Sequence, residues 1–177
     1  MIELKRFGRS DFKQLINWID SPDFLLQWGG PGFNYPFDEP QLEEYMKNTN
    51  NNSPDILVYK VVDKETKDVL GHISLGKIDR SNRSARIGRV LVGDKNARGQ
   101  GIGYLMVREI LIVAFEELNM HRVSLGVFDF NAPAISAYEK AGFVKEGLLR
   151  DARKNGDEYW SLWEMSILEN EWFKTIG

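Results

Sequence analysis

The chain has no cysteine. That removes at once a disulfide framework, a thiolate metal centre and a cysteine nucleophile. Histidine is almost as scarce: only His72 and His121 occur, too few and too far apart for a zinc-ligand set, so no metal is expected. Both read as ordinary strand residues. No apolar run approaches the ~18 residues of a membrane span. The stretch Met1-Ile2-Glu3-Leu4-Lys5 lacks the basic region and apolar run of a secretory signal. Net charge is only −3, which speaks against general nucleic-acid binding. Repeats and low-complexity segments are missing too. These absences lead to the expectation of a cytoplasmic globular protein with no nucleic-acid or membrane partner. Its 177 residues suffice for one domain, 1–177, with its own core.

What is present is unevenly placed. Residues 1–55 hold nine acids against five bases, whereas residues 77–108 hold eight bases (Lys77, Arg80, Arg83, Arg86, Arg89, Lys95, Arg98, Arg108) against two acids. The first part suits a cation and the second an anion, although most such clusters simply solvate a surface.

The second part contains Arg98-Gly99-Gln100-Gly101-Ile102-Gly103, between the apolar run Val90-Leu91-Val92 and the long apolar segment 104–118. The order is strand, glycine-rich loop, helix. Glycines let a ligand approach the backbone, and the first N–H groups of the helix carry the positive end of its dipole. Arg98 adds a permanent cation. The loop is an anion site, best suited to phosphate or pyrophosphate. It fails the dinucleotide fingerprint G-x-G-x-x-G, because the third position falls on Tyr104 or Met106, and no Gly-Lys-Ser/Thr triplet makes it a P-loop. By itself, Arg-x-x-Gly-x-Gly is also what a plain turn feeding a helix would need.

Periodicity supplies the elements around it. Residues 2–7 read as a strand, Ser10 as the cap of a helix bearing Phe12, Leu15, Ile16 and Ile19, and Phe24–Trp28 as a second helical piece restarted at Pro22. An aromatic, glycine-rich loop follows over 29–37, then a helix capped by Asp38. A polar break covers 48–54. Strands are expected at 56–62, 69–78 (with Gly71 and Gly76 as possible bulges), 84–92, 121–128, 143–150 and 159–168, the last two joined through Asn155-Gly156. The alternation of the 84–92 strand breaks at Val90-Leu91-Val92, as in a strand that is bulged or buried on both faces. A strand, a long helix and a strand imply a parallel pair with a right-handed crossover. A second helix, 132–140, is capped by Asn131 and closed by Gly142, and the tail 169–176 has room for a helical turn. The Trp-rich end, Trp160, Trp163 and Trp172, offers a surface for a dimer; monomer and homodimer both stay open.

On the helix 132–140, Ala134, Tyr138 and Ala141 share one face, so Tyr138 points inward among small residues. The pattern Asn131-Ala-Pro-Ala-Ile-Ser-Ala-Tyr138-Glu-Lys-Ala-Gly142-Phe143, at this distance after Arg-x-x-Gly-x-Gly, closely resembles the GCN5-related N-acetyltransferase (GNAT) superfamily from about Arg86 to Gly147. The ending Glu146-Gly147-Leu148-Leu149-Arg150, with Asn155-Gly156, Met165-Ser166-Ile167-Leu168 and Glu171-Trp172, is similar to the RimJ/RimL-like branch, which acetylates ribosomal proteins. Ser161-Leu162-Trp163 departs from that branch, which often has an acid after the hairpin aromatic.

The resemblance implies an α/β fold: a mixed, mostly antiparallel sheet with a splayed parallel pair in the middle, flanked by helices. Residues 1–55 would be the acceptor side and 85–147 the acetyl-CoA core. It implies acetyl transfer from acetyl-CoA to a primary amine by direct attack. The acceptor would be a protein N-terminus, or alternatively a small amine such as a polyamine, amino sugar or amino-acid derivative. An acyl-CoA-binding module without turnover is the reading of a different class. Arg98, Gly99, Gln100, Gly101, Ile102 and Gly103 would hold the CoA pyrophosphate, Leu91 and Val92 would pair with the pantetheine arm, and Asn131 would contact it. Tyr138 would protonate the departing thiolate. The base stays open between Asp79, Glu164 and a water chain. For a cationic acceptor, aromatics and acids point to Trp28, Phe33, Tyr35, Asp38 and Glu39.

Overall fold

A computed structural model describes residues 1–49 and 51–177; within the expected polar break, Asn50 lies outside the described residues. Seven strands form one sheet: β1 (Ile2–Arg6), β2 (Leu57–Asp63), β3 (Val69–Asp79), β4 (Ser84–Val92), β5 (Arg122–Phe128), β6 (Val144–Asn155) and β7 (Glu158–Leu168). Their spatial order is β1-β2-β3-β4-β5-β7-β6. Every neighbouring pair is antiparallel except β4 and β5 at the centre.

That central pair is joined over only three positions, Ser84↔Arg122, Ala85↔Val123 and Arg86↔Ser124. Beyond Arg86 the two strands part. The cause is local to β4. Its register against β3 shifts between His72↔Leu91 and Ser74↔Gly88, and Arg89 sits there at φ 51°. One extra residue in a strand bends it and raises its twist. The broken alternation at Val90-Leu91-Val92 is the sequence trace of this bulge.

Helices cover both faces. On one side lie α4 (Ile102–Ile112), α5 (Ala132–Ala141) and α6 (Glu169–Ile176). They enclose the main core, with Met106, Val107, Ile110 and Leu111 of α4 against Ile73, Leu75, Ile87, Val123, Leu125 and Ile167. A π-helical turn, Val113–Glu117, prolongs α4. On the other side α1 (Phe12–Trp18), α2 (Pro22–Gly29) and α3 (Glu39–Tyr45) pack Phe12, Leu15, Leu25, Trp28 and Leu42 against Phe7, Val58 and Leu91. Val58 and Leu91 face this smaller core while their neighbours Leu57, Tyr59, Val90 and Val92 face the main one, as strand alternation requires.

Three local expectations change. Ser10 does not cap the first helix: Arg9–Asp11 form a 3₁₀ turn, and Asp11 accepts from the Gly8 N–H (2.9 Å) and from the Lys60 ammonium (2.9 Å) instead. A carboxylate that can serve both partners outcompetes a hydroxyl. Strand β6 does not end at Arg150, because the turn at Gly156 brings β7 back early enough to pair Asn155 with Glu158, and a bulge with Asp151 at φ 51° absorbs the mismatch. The tail is a full helix that buries Trp172 on Phe115, with its Nε1 donating to Glu116 (3.2 Å), so Trp172 is not free to serve a dimer surface.

His72 is more than an ordinary strand residue. It is buried in the smaller core, edge-on to Phe7 and Trp28, with Nε2 3.1 Å from the Tyr45 hydroxyl. Burial, reinforced by the charge of Arg89, pushes its pKa down to about 3. The folded chain therefore stays unprotonated at His72 long after the unfolded chain, near ~6.5, has taken up a proton. This contribution to stability is fully present above pH ~6.5 and is lost as pH falls toward 3, by an amount on the order of a few kcal/mol. Glutamine at this position can still accept from Tyr45. His72→Gln is expected to flatten the dependence of Tm on pH between 6.5 and 4. Parallel curves for the variant and the wild type would show that His72 does not set this slope.

Candidate active site

Where β4 and β5 part, they leave a cleft of about 330 Å³. Ile87–Val90 and Leu125–Phe128 line its two sides. Residues 26–31, at the end of α2, and Ser74, Gly76 and Lys77 of β3 bound the cap side. Asn131 and Tyr138 close it from α5, and Arg153 and Leu162 reach it from the β6–β7 hairpin. The hairpin tip also touches α2, through Asn155 Nδ2 donating to Asp23 (3.0 Å).

Tyr138 is where the helical spacing puts it. Its ring is buried beside Phe143, with centroids 6.0 Å apart. Burial raises the phenol well above its ordinary pKa, so it is a protonated donor at any physiological pH. Asn131 precedes the first turn of α5 and accepts from the Ala134 N–H (3.4 Å). With Oδ1 occupied as the helix cap, its amide N–H₂ is the remaining donor at the cleft wall.

The glycine loop lies outside this cleft, past the end of β4. Gly99 and Gly101 are left-handed, at φ 77° and 78°, a region that side chains rarely adopt. Gly103 is an ordinary helical residue. A Cβ at any of the three would project into open space, so no other part of the chain packs against the loop there. Helix α4 starts at Ile102 without a side-chain cap, leaving its first N–H groups for another partner. Arg98 donates from Nε to the Val92 carbonyl (3.0 Å), and Gln100 from Nε2 to the Asn96 carbonyl (2.7 Å), which hold the loop in place. The arrangement can hold a phosphate or pyrophosphate.

Other expected residues distribute less neatly. Leu91 is buried in the smaller core and Val92 packs on the main one; Ile87–Val90, rather than this pair, line the cleft. Of the acceptor candidates only Trp28 lines it, and its Nε1 donates to the Arg89 carbonyl at the bulge (3.0 Å). Phe33 stacks behind Trp28 at 5.8 Å and lies under the Arg89 guanidinium. Tyr35 is 46% exposed, with its hydroxyl 3.4 Å from the Asp20 carbonyl. Asp38 caps α3 through the Gln41 N–H (3.2 Å), and Glu39 is exposed on the first turn of that helix. Phe33, Tyr35, Asp38 and Glu39 therefore do not line the cleft: two acids at a helix start serve its dipole and solvent, and Phe33 is packed behind Trp28.

Neither proposed base is free. Asp79 sits in the β3–β4 turn, where hydrogen bonds from Asn82 (2.9 and 2.7 Å) hold its carboxyl below the usual range. Glu164 is clamped by both terminal nitrogens of Arg86, one at 3.1 Å and one closer. Arg86 also donates to Ser124 (3.2 Å), so it ties β4, β5 and β7 together where the splay begins. Sequence reasoning missed Arg86, Arg89, Lys77 and Arg153 as cleft residues. The first three belong to the basic segment, which was legible as a block. Arg153 carried no signal, because its place depends on how far the hairpin reaches.

Comparison with known proteins agrees with this geometry. The family described as acetyltransferase (GNAT) domain matches residues 2–144. Spermidine N(1)-acetyltransferase of Vibrio cholerae is 26% identical over 173 residues, 97% of this chain and 95% of that protein. An uncharacterised N-acetyltransferase of Bacillus licheniformis, p20, is 32% identical over 114 residues, which span 64% of this chain and 63% of p20. Among solved structures, the V. cholerae spermidine N-acetyltransferase in complex with CoA and spermine superposes with a TM-score of 0.83 at 25% identity, covering 97% of this chain and 98% of that one. The splayed central pair, the glycine loop before α4 and the family match across most of the chain lead to one conclusion: this chain belongs to the GNAT acetyltransferase family.

Proposed function

We propose that this acetyl-CoA-dependent N-acetyltransferase acts on the primary amine of a small molecule. One observation carries the choice. The lining of the cleft includes residues 26–31, at the end of α2, on one hand and Arg153 and Leu162 of the hairpin on the other. Beside it the β6–β7 hairpin meets α2 at Asn155 and Asp23, a contact that an extended peptide would have to cross and a compact amine would not. The full-length likeness to a spermidine acetyltransferase supports the same class. A protein N-terminus is the second reading, supported by the RimJ/RimL-like ending from Glu146 to Trp172.

In this reading the N–H groups at Gly101–Gly103 and the Arg98 guanidinium hold the CoA pyrophosphate. The pantetheine arm runs along the free edge of β4, past Val92 and Leu91 into the cleft lined by Ile87–Val90, and meets the amide of Asn131. The thioester enters the gap beside Tyr138. A neutral amine attacks the carbonyl, a backbone N–H of splayed β4 steadies the oxyanion, and the carbon–sulfur bond breaks. The sulfur leaves with the bond's electron pair and takes the proton of the Tyr138 hydroxyl, and the proton that the newly bonded nitrogen gives up restores the phenol, so that a neutral amide and a free thiol are the products. The apolar surroundings that raise the phenol raise a thiolate beside it as well, so the transfer stays feasible.

Release of free thiol across a panel of small amines and short peptides tests the class, with turnover expected on small amines. Confinement of turnover to peptides would favour the second reading, and CoA binding without turnover on any acceptor would favour a sensing module. Tyr138→Phe is expected to lower kcat by about 10²-fold or more while acetyl-CoA affinity changes little; a loss below about twofold would remove the acid role. Gly103 is the clean probe of the loop, because its backbone is unstrained and a side chain there meets only open space. Gly103→Trp is expected to weaken acetyl-CoA binding by at least about tenfold in calorimetry with little change in Tm. Unchanged affinity would place the pyrophosphate elsewhere.

A further inference from the structure

The charges on the cleft wall run opposite to what a polycationic acceptor would need. The charged residues lining it are Lys77, Arg86, Arg89 and Arg153, and among the described residues no aspartate or glutamate lines it. Two of these cations are already engaged. Arg86 is neutralised by Glu164, and Arg89 lies over the faces of Phe33 and Tyr45, 4.9 and 4.6 Å from their centroids. Lys77 and Arg153 have no carboxylate in ion-pair range among the described residues, and Arg153 uses one terminal nitrogen on the neighbouring Ala152 carbonyl (2.9 Å).

The donor does not account for these two cations. Lys77 follows Gly76, which pairs with Arg86, and the glycine loop begins past Val92. Val92 is six residue steps along β4 from Arg86, or roughly 20 Å. A pyrophosphate at the loop is therefore at the far end of the splay.

We infer that the acceptor is an amine that also carries an anionic group, a carboxylate or a phosphate, which Lys77 and Arg153 receive. The inference rests on the small-amine reading above and narrows it. A guanidinium and an ammonium together suit such an anion through charge-assisted hydrogen bonds. A second ammonium placed there would meet like charge with no carboxylate to offset it. The same field favours the neutral form of the reacting amine. That explains how attack can proceed although both carboxylates considered as bases, Asp79 and Glu164, are held by other partners.

Four amines of similar chain length isolate the effect: 4-aminobutyrate, 3-aminopropyl phosphate, butane-1,4-diamine and butylamine. With acetyl-CoA and the purified protein, thiol release is expected to give kcat/KM at least about tenfold higher for one of the two anionic amines than for the diamine. Which of the two leads tells carboxylate from phosphate. Arg153→Glu and Lys77→Glu are expected to reduce that preference by at least about tenfold, chiefly through KM of the anionic amine. Arg80→Gln, at an exposed arginine that binds the Pro54 carbonyl away from the cleft, is expected to leave the ratio unchanged. Preference for the diamine or for butylamine, or a ratio that survives both charge reversals, would overturn the inference and leave the small-amine reading standing. Inertness toward all four, together with turnover of peptides, would overturn both.

Discussion

A single extra residue in β4 is the constraint on which the rest depends. Parallel neighbours normally stay joined along their length, and an open seam in the middle of a sheet leaves backbone groups without partners. The bulge at Arg89 opens such a seam just beyond the last paired residue, Arg86. The smaller core then holds the bulge in its unusual conformation. The Arg89 carbonyl receives the indole N–H of Trp28, and its guanidinium rests on Phe33 and Tyr45. Helices α2 and α3 are thus fastened to the residue that creates the cleft.

The closed end of the seam is fixed by a different device. The Arg86 side chain crosses β5 to reach Glu164 on β7, and it passes over Gly126. A Cβ on Gly126 would lie 2.8 Å from the guanidinium and 2.6 Å from Leu162, so only glycine permits the crossing. An ion pair that is mostly but not wholly shielded from water contributes modestly to stability, and its value here is positional. It holds three strands together at the point beyond which two of them part. It also occupies Glu164, while Lys77 and Arg153 on the cleft wall keep their positive charge.

Polarity is sorted finely across a short distance. Tyr138 and Tyr45 are raised by burial and His72 is lowered by it, so all three are neutral at physiological pH in and beside the cleft. The permanent charges around them belong to guanidinium and ammonium groups. The cleft is therefore neutral where Tyr138 stands and carries its cations on both flanks, Lys77 from β3 and Arg153 from the hairpin.

Much of the fold was legible in the chain because it rests on short-range rules. Period-2 and period-3.6 patterns located every strand and the long helices, the failed alternation near Val90 narrowed that stretch to a bulge or burial on both faces, and the Asn131–Gly142 segment announced its cap, its inward tyrosine and its stop. The glycine loop was readable for the same reason, since left-handed residues and a helix start are local properties. What the tertiary structure decided was which distant side chains meet. Asp38 and Glu39 belong to an acidic region that suggested a cation site, but one caps a helix and the other faces water. Lys77, Arg86 and Arg89 belong to a basic region that suggested a phosphate site, yet they line the opposite end of the splay, and Arg153 joins them only because β6 extends past Arg150. Charge along a chain states how much of each sign is available. Strand register, a bulge and the reach of a hairpin determine where that charge is concentrated, and these arise from long-range packing.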